Sequence, residues 1–360
     1  MKEMYKMRLE KVLQSMEESG FDALIVSDSR SIKYLCGVEN EPFERLYALY
    51  ADKNGTKKLF VNRLFTVCPS DFTEIWYSDT DDTATLIAEN ILKTGKIGVD
   101  KNWNAKFLLP LMSKLPNVSF ILDTGCVDSV RGIKDSEEIE LMKEASRLND
   151  ICIQKAFDFV HDGITEIELA DFVEKTFKAL GADALSFETI ASFGANAADP
   201  HHSPDNTVIR EGDCILLDMG CRKNGYCSDM TRTRFFKTAP KEYAQIYEIV
   251  RLAQQTASDM VKPGVPLCQI DAAARDIITK AGYGEFFTHR LGHFCGQTDH
   301  EAGDVSAANK TEAKAGMIFS IEPGIYIPNK FGVRIEDLVL VTPTGYESLN
   351  KVDKHCSLVG

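Results

Sequence analysis

The chain has 360 residues, 44% hydrophobic and 26% charged, the balance of a globular protein with length for about two domains. A formal net charge of −13 and a pI near 5.1 exclude a surface built for nucleic acid or anionic lipid, since both need clustered basic residues. No apolar run reaches the roughly 18 residues that cross a bilayer, so no membrane partner is expected.

In chain order, residues 4–16 carry apolar side chains at helical spacing and stop at Gly20, a C-cap residue. Residues 21–26 read as a buried strand, and 57–61, 74–77, 96–99 and 118–122 as further strands, with helices over 84–93 and 105–115 between them. The texture changes at residues 130–136. A long amphipathic helix is predicted over 137–160, with Ile139, Met142, Ala145, Leu148 and Ile153 on its apolar stripe. Thr165 and Glu168 form a capping box for the next helix. From Phe187 short strands with Gly and Pro punctuation take over, interrupted by helices over 241–260 and 266–281. The expectation is an α+β protein with an α/β domain over residues 1–130 and a second domain over 131–360. The start of the chain, Met1 to Glu10, is too charged for the apolar core of a secretory signal, and the ten cysteines include no Cys-x-x-Cys pair. Both point to reduced thiols and a cytoplasmic location.

The second domain carries an electrostatic problem. Asp218 follows Cys214-Ile215-Leu216-Leu217, and Asp229 returns eleven residues later beyond an Asn224-Gly225 turn, so the two face each other on one hairpin. Glu322 follows Ile318-Phe319-Ser320-Ile321, and Glu336 lies between Val333-Arg334-Ile335 and Asp337-Leu338-Val339. His293 sits in the glycine-flanked stretch Thr288 to Gly296. Singly, a turn aspartate or a surface glutamate is the commoner explanation of each. Together, four carboxylates and one imidazole in apolar segments repel one another unless cations lie between them. One histidine among four carboxylates makes a hard, oxygen-rich donor set suited to Mn²⁺ or Fe²⁺, with Co²⁺ and Zn²⁺ also able to bind. That many anionic ligands exceed the needs of one ion and fit a two-metal centre. Of only seven histidines, His201, His202, His289 and His300 flank this set.

Five stretches, Asp218-Met219-Gly220, Ser228 to Thr233, His289 to His293, Ser320 to Tyr326 and Gly332 to Asp337, occur in the order and spacing of the proline-specific metallopeptidases of the pita-bread fold. The chain resembles that group, which holds Xaa-Pro dipeptidases (prolidases) and Xaa-Pro aminopeptidases. The likeness runs from about Arg131 to the end, and the first domain is similar to the group's creatinase-like N-terminal α/β domain. The resemblance implies Asp218, Asp229, His293, Glu322 and Glu336 as ligands of two divalent metal ions, Mn²⁺ foremost. It implies His201 as a substrate-side histidine, ahead of His202, and His300 as a hydrogen-bond donor to the tetrahedral intermediate, with His289 lining the pocket. Glu322 is the expected proton shuttle. Arg290 or Arg334 is expected to hold a substrate carboxylate, or, for Arg334 equally, to balance the charge of the ligands. The implied substrate is a peptide with proline at its second position, the implied assembly a homodimer.

Departures from the group's pattern bear on substrate. Gly-His-Gly-Ile-Gly is here Gly292-His293-Phe294-Cys295-Gly296; Val-His-Glu is Asp299-His300-Glu301, followed by Ala302-Gly303-Asp304 where prolines are usual. Glu41-Pro42-Phe43-Glu44-Arg45 is similar to the Asp-Pro-His-Glu-Arg loop of bacterial prolidases, with Phe43 in place of the histidine. The expected activity is that of a prolidase. The alternatives are an Xaa-Pro aminopeptidase acting on longer peptides, a metal-free C–N hydrolase like creatinase, and a catalytically silent binding protein on the same fold.

Overall fold

Apolar runs in the first part of the chain become strands, the central ones buried on both faces. The strands are β1 (Ala23–Val26), β2 (Ala48–Asp52), β3 (Lys57–Asn62), β4 (Thr73–Tyr77), β5 (Gly95–Val99) and β6 (Val118–Leu122), in one sheet of order β4-β3-β2-β1-β5-β6. The computed structural model describes residues 3–67, 71–123 and 125–360, and the chain divides into two units, Met1–Arg131 and Gly132–Gly360. Strand alternation explains the unbroken hydrophobicity. Leu24, Val26, Leu49 and Val61 join the core on one face of the sheet, Ala23, Ile25, Tyr50 and Phe60 the core on the other.

Three elements of this unit are absent from the sequence reading: β2 and the helices Ser29–Cys36 and Cys126–Arg131. The two helices have eight and six residues, too few for a helical period to show. The first of them is fixed at its ends instead. Asp28 accepts from Ser31 N, and Gly37 takes the left-handed conformation at φ 75°.

The second unit begins with the helix Ser136–Phe159, whose first turn is closed by a capping box between Asp135 and Glu138. The helix Glu166–Ala179 follows, with the expected box between Thr165 and Glu168. Strands Ile190–Phe193, Cys214–Met219 and Met230–Phe236 then pair antiparallel. A second pair of helices, Lys241–Asp259 and Leu267–Lys280, is followed by the antiparallel strands Ile318–Ile321 and Asp337–Val341. Helix pair and antiparallel strands thus occur twice. No repeat is visible in the sequence because this order needs only apolar periodicity, which dissimilar residues satisfy equally.

This is the pita-bread arrangement, preceded by a creatinase-type α/β domain. Among the described residues no helix is long and apolar enough to cross a membrane. The nine described cysteines are free, and Cys68 lies outside the described residues.

Candidate metal centre

The strands of the second unit end where the carboxylates begin. Cys214–Met219 and Met230–Phe236 pair with Asp218 opposite Thr231 and Met219 opposite Met230, which leaves Asp229 just beyond the strand. Asp218 and Asp229 are therefore diagonal neighbours, not directly opposed as the hairpin reading had them. The Asn224-Gly225 turn caps a small outer extension, with φ 49° and 84° at its two central residues. The second pair is built alike. Ile321 pairs with Asp337, so Glu322 and Glu336 leave the same end of that ladder.

Asp229, His293 and Glu336 bring ligand atoms within 4.8 Å of one another. His293 Nε2 lies 3.4 Å from Asp229 Oδ2 and 3.5 Å from Glu322 Oε1. The other ring nitrogen, Nδ1, is 3.3 Å from the Phe294 carbonyl oxygen, which can only accept. That contact makes Nδ1 the donor and leaves Nε2 turned toward the two carboxylates. A ring nitrogen and two carboxylates converging at this distance make a position that a cation would satisfy. Asp218 Oδ1 and Asp229 Oδ1 are buried and have no hydrogen-bond partner, so both have a lone pair to give. These donors fit a divalent ion, and the number of carboxylates fits two.

Burial and mutual repulsion push the cluster's acids upward. Asp229 and Glu336 are held well above the ordinary carboxylate range by burial first; Asp218, Glu322 and Asp299 add to the rise of Asp229, and Asp229, Glu322 and Asp218 to that of Glu336. Asp218 is raised by burial, opposed by the Arg334 guanidinium. Glu322 goes the other way: burial would raise it, but His293, His289 and Arg334 bring it below the usual value. It is thus the one of these four acids held below its ordinary value. Ser320 Oγ donates to its Oε1 at 3.0 Å and accepts from His293 N at 2.9 Å.

Arg334 is 3% exposed, and its donors are engaged within the protein. Nη2 donates to Asp218 Oδ2 at 2.6 Å, Nε to Thr231 Oγ1 at 3.0 Å and Nη1 to Tyr326 Oη at 2.9 Å. Thr231 Oγ1 in turn donates to Glu336 Oε2 at 2.6 Å. One guanidinium therefore reaches two of the acids, Asp218 directly and Glu336 through Thr231. Tyr326 Oη, having accepted from Arg334, faces His289 Nε2 at 2.9 Å, while His289 Nδ1 lies 2.7 Å from the Arg290 carbonyl. His289 is held between them, and burial lowers its pKa. Tyr326, Thr231 and Ser320 escaped the sequence reading although all three lie inside its motifs; hydroxyls next to ligands have no signature of their own.

The remaining histidines line a cavity of about 370 Å³ with Asp218, Asp229, Asp299 and residues 187–190 and 201–204. His300 stacks on His293 with ring centroids 3.8 Å apart. Its Nδ1 lies 3.3 Å from Arg290 Nη2, and a guanidinium can only donate, so the neutral ring presents Nε2–H. Burial first, and His293 next, lower its pKa. His201 is exposed on the cavity wall. His202 is tied back through Nε2 to Glu166 Oε2 at 2.8 Å. Glu166, His202 and Asp205 also form a cluster that would suit a metal, but Glu166 already accepts from Phe193 N, Asn196 Nδ2 and Asp205 N and serves as an anchor for this loop.

Two glycines let these segments approach. A Cβ on Gly292 would overlap the Ser320 carbonyl oxygen, and one on Gly220 the Ser228 carbonyl oxygen. The turn carrying His300 is held by a buried ion pair, Lys134 Nζ to Glu301 Oε2 at 2.9 Å.

Residues 140–343 match the model of metallopeptidase family M24, and residues 8–133 that of the creatinase/prolidase N-terminal domain. An uncharacterized peptidase of Staphylococcus saprophyticus is 37% identical over 97% of this chain and 100% of its own. The structure of a dipeptidase from Pyrococcus horikoshii is 34% identical, covers 98% of this chain and 100% of its own, and superposes with a TM-score of 0.92. That of a prolidase from Thermococcus sibiricus is 34% identical over 99% of both chains, with a TM-score of 0.91. Structural neighbours also include an Xaa-Pro dipeptidase from Bacillus anthracis and an X-Pro aminopeptidase from Thermotoga maritima. This chain belongs to metallopeptidase family M24 and is a hydrolase, its peptidase domain preceded by a creatinase/prolidase N-terminal domain.

Proposed function

We propose that the protein is an Xaa-Pro dipeptidase dependent on two divalent metal ions, held by Asp218, Asp229, His293, Glu322 and Glu336. The observation that carries this reading is the facing of His293 Nε2 to Asp229 and Glu322 beside carboxylate oxygens with no other partner. The ions, when bound, polarise a carbonyl and make water acidic enough to serve as a nucleophile near neutral pH. Mn²⁺ suits the oxygen-rich set. The protein's own groups do the rest. Glu322, its pKa held below the ordinary value and its Oε1 steadied by Ser320, accepts the proton of the attacking water and returns it to the proline nitrogen as the peptide bond breaks. His300 Nε2–H donates to the substrate carbonyl oxygen as negative charge builds there. His201 contacts the substrate from the exposed cavity wall, and His289 keeps Tyr326 and so Arg334 in place.

A dipeptidase must also hold the proline carboxylate. Arg334 is buried and each of its three nitrogens already donates within the protein, but Arg290 is exposed, and apart from Nη2 its guanidinium has no hydrogen-bond partner among the described residues. Arg290 takes that role in this reading. The second reading, an Xaa-Pro aminopeptidase, draws support from the burial of Arg334 and its bonds within the protein. The names of the neighbours support dipeptides: a dipeptidase, a prolidase and an Xaa-Pro dipeptidase. The reading includes a cytoplasmic homodimer, with the exposed Phe43, left-handed at φ 53°, offered by the first domain.

The test is turnover of Leu-Pro against Leu-Pro-Gly with Mn²⁺ supplied. The expected result is faster cleavage of the dipeptide; cleavage of the tripeptide alone would replace dipeptidase by aminopeptidase. Asp229→Ala and Glu336→Ala are expected to abolish both Mn²⁺ binding and hydrolysis. A wild-type protein that takes up no divalent metal would remove the two-metal reading altogether.

A further inference from the structure

The cavity beside the metal centre is more acidic than the proposed ligands make it. Of its carboxylates, Asp218 and Asp229 belong to the ligand set, whereas Glu188 and Asp299 do not. Asp299 is half-buried one residue before His300, and Glu188 is exposed in the same lining. No hydrogen bond or ion pair engages the carboxylate of either residue among the described residues. No lysine or arginine lines the cavity to balance them, while Phe187, Ile190 and Pro204 supply an apolar wall. Thr189, between Glu188 and Ile190 in that lining, is 6% exposed, and its hydroxyl has no hydrogen-bond partner. Unbalanced carboxylates, an idle hydroxyl and an apolar strip describe a site for a long side chain that ends in a cation.

We infer that this cavity receives the side chain of the substrate's N-terminal residue and selects lysine or arginine there, with the methylene stem against Phe187 and Ile190 and the cation between Asp299 and Glu188. The inference rests on the peptidase reading above and adds its substrate class. It also gives a purpose to the Asp299-His300-Glu301 stretch, where an apolar residue would leave the cavity without its deeper acid. A charge-assisted hydrogen bond in such a half-buried site gives about tenfold discrimination.

The experiment measures kcat/KM of the Mn²⁺-loaded enzyme on Lys-Pro, Leu-Pro and Glu-Pro, with Lys-Leu, Leu-Leu and Glu-Leu in parallel. Binding of the reduced-bond analogues of Lys-Pro and Leu-Pro is followed by calorimetry. Expected is a preference for lysine over leucine of about tenfold or more in both readouts, with glutamate last. Asp299→Asn and Glu188→Gln should each shrink the lysine-to-leucine ratio. Glu188 is exposed, so its variant folds even if that of Asp299 does not. A ratio near one in the wild type overturns the inference. So does a ratio unmoved by both substitutions, the result expected if Asp299 met only the terminal ammonium common to every peptide. Loss of proline preference with the lysine preference intact would instead remove the proline reading and leave the cation subsite standing.

Discussion

Arg334 decides how much of the cluster's charge the protein can balance by itself. Its three bonds to Asp218, Thr231 and Tyr326 diverge from a planar fork that an ammonium cannot reproduce. Arg334→Lys should therefore keep the charge but release Thr231 and, through it, Glu336. Mn²⁺ affinity is expected to fall about 10–100-fold, the usual loss when a group orienting a ligand is removed. Titration of the metal-free variant with Mn²⁺ measures this, and an unchanged affinity would count against the orienting role. The same acids set the pH response. Asp218, Asp229 and Glu336 have raised pKa values in the metal-free protein, by burial first, so an arriving ion must displace protons. Affinity is thus full above those raised values and lost as pH falls through them. Calorimetry in buffers of different ionisation enthalpy should register proton release on Mn²⁺ uptake. Uptake without protons would mean that the acids are already ionised. The candidate ligands were legible in the sequence because a carboxylate in an apolar strand is costly and so conspicuous. Arg334 was not, since a sequence does not say which donors of a guanidinium are already taken.

At the scale of elements, the strand ends were legible and the supports of the connecting turns were not. Apolar runs ending at Asp218 and Glu322 announced the strands, and Asn224-Gly225 announced its turn. Two features stayed hidden. One is the diagonal offset of Asp218 and Asp229, which depends on register. The other is the pairing of Lys134 with Glu301 across 167 positions of sequence, which no local pattern encodes. Glu301 Oε1 also accepts from Gln297 N, and a Cβ on Gly296 would strike the same carboxylate. That acid is the peg on which the His300 turn hangs. Lys134→Met removes the cation from beside the buried Glu301 carboxylate, a change that costs about 3–5 kcal/mol. Lys134→Met with Glu301→Gln removes both charges and should regain most of that loss. Urea denaturation of the three proteins checks the pattern; a single variant as stable as the wild type would mean that the pair contributes nothing to the turn.

For the whole molecule, the division into two units separates two responses. Each hydrophobic core lies within one unit: those around Leu24 and Ile25 in the first, those around Phe319, Ile215 and Leu338 in the second. The proposed ligands all fall between residues 218 and 336, so a bound ion stabilises the second unit alone. At a hundredfold excess over Kd that is about 2.7 kcal/mol, and for a unit of this size about 5–10 °C in Tm. The first unit contains no histidine, and among its described residues the one carboxylate shifted toward neutrality is Asp100. Burial raises that carboxyl to about 6, against the hydrogen bonds it accepts from Asp28 N, Ser27 N and Ser27 Oγ. A pKa higher folded than unfolded gives a contribution present in full below about pH 4 and lost as pH rises through about 6. Calorimetric scans from pH 5 to 7 should then resolve two labelled transitions. One moves up with Mn²⁺; the other moves down with rising pH and loses that slope in Asp100→Asn. Both labels falling on one transition would mean that the chain unfolds as a single cooperative unit, with the first domain sharing the stability that the metal confers.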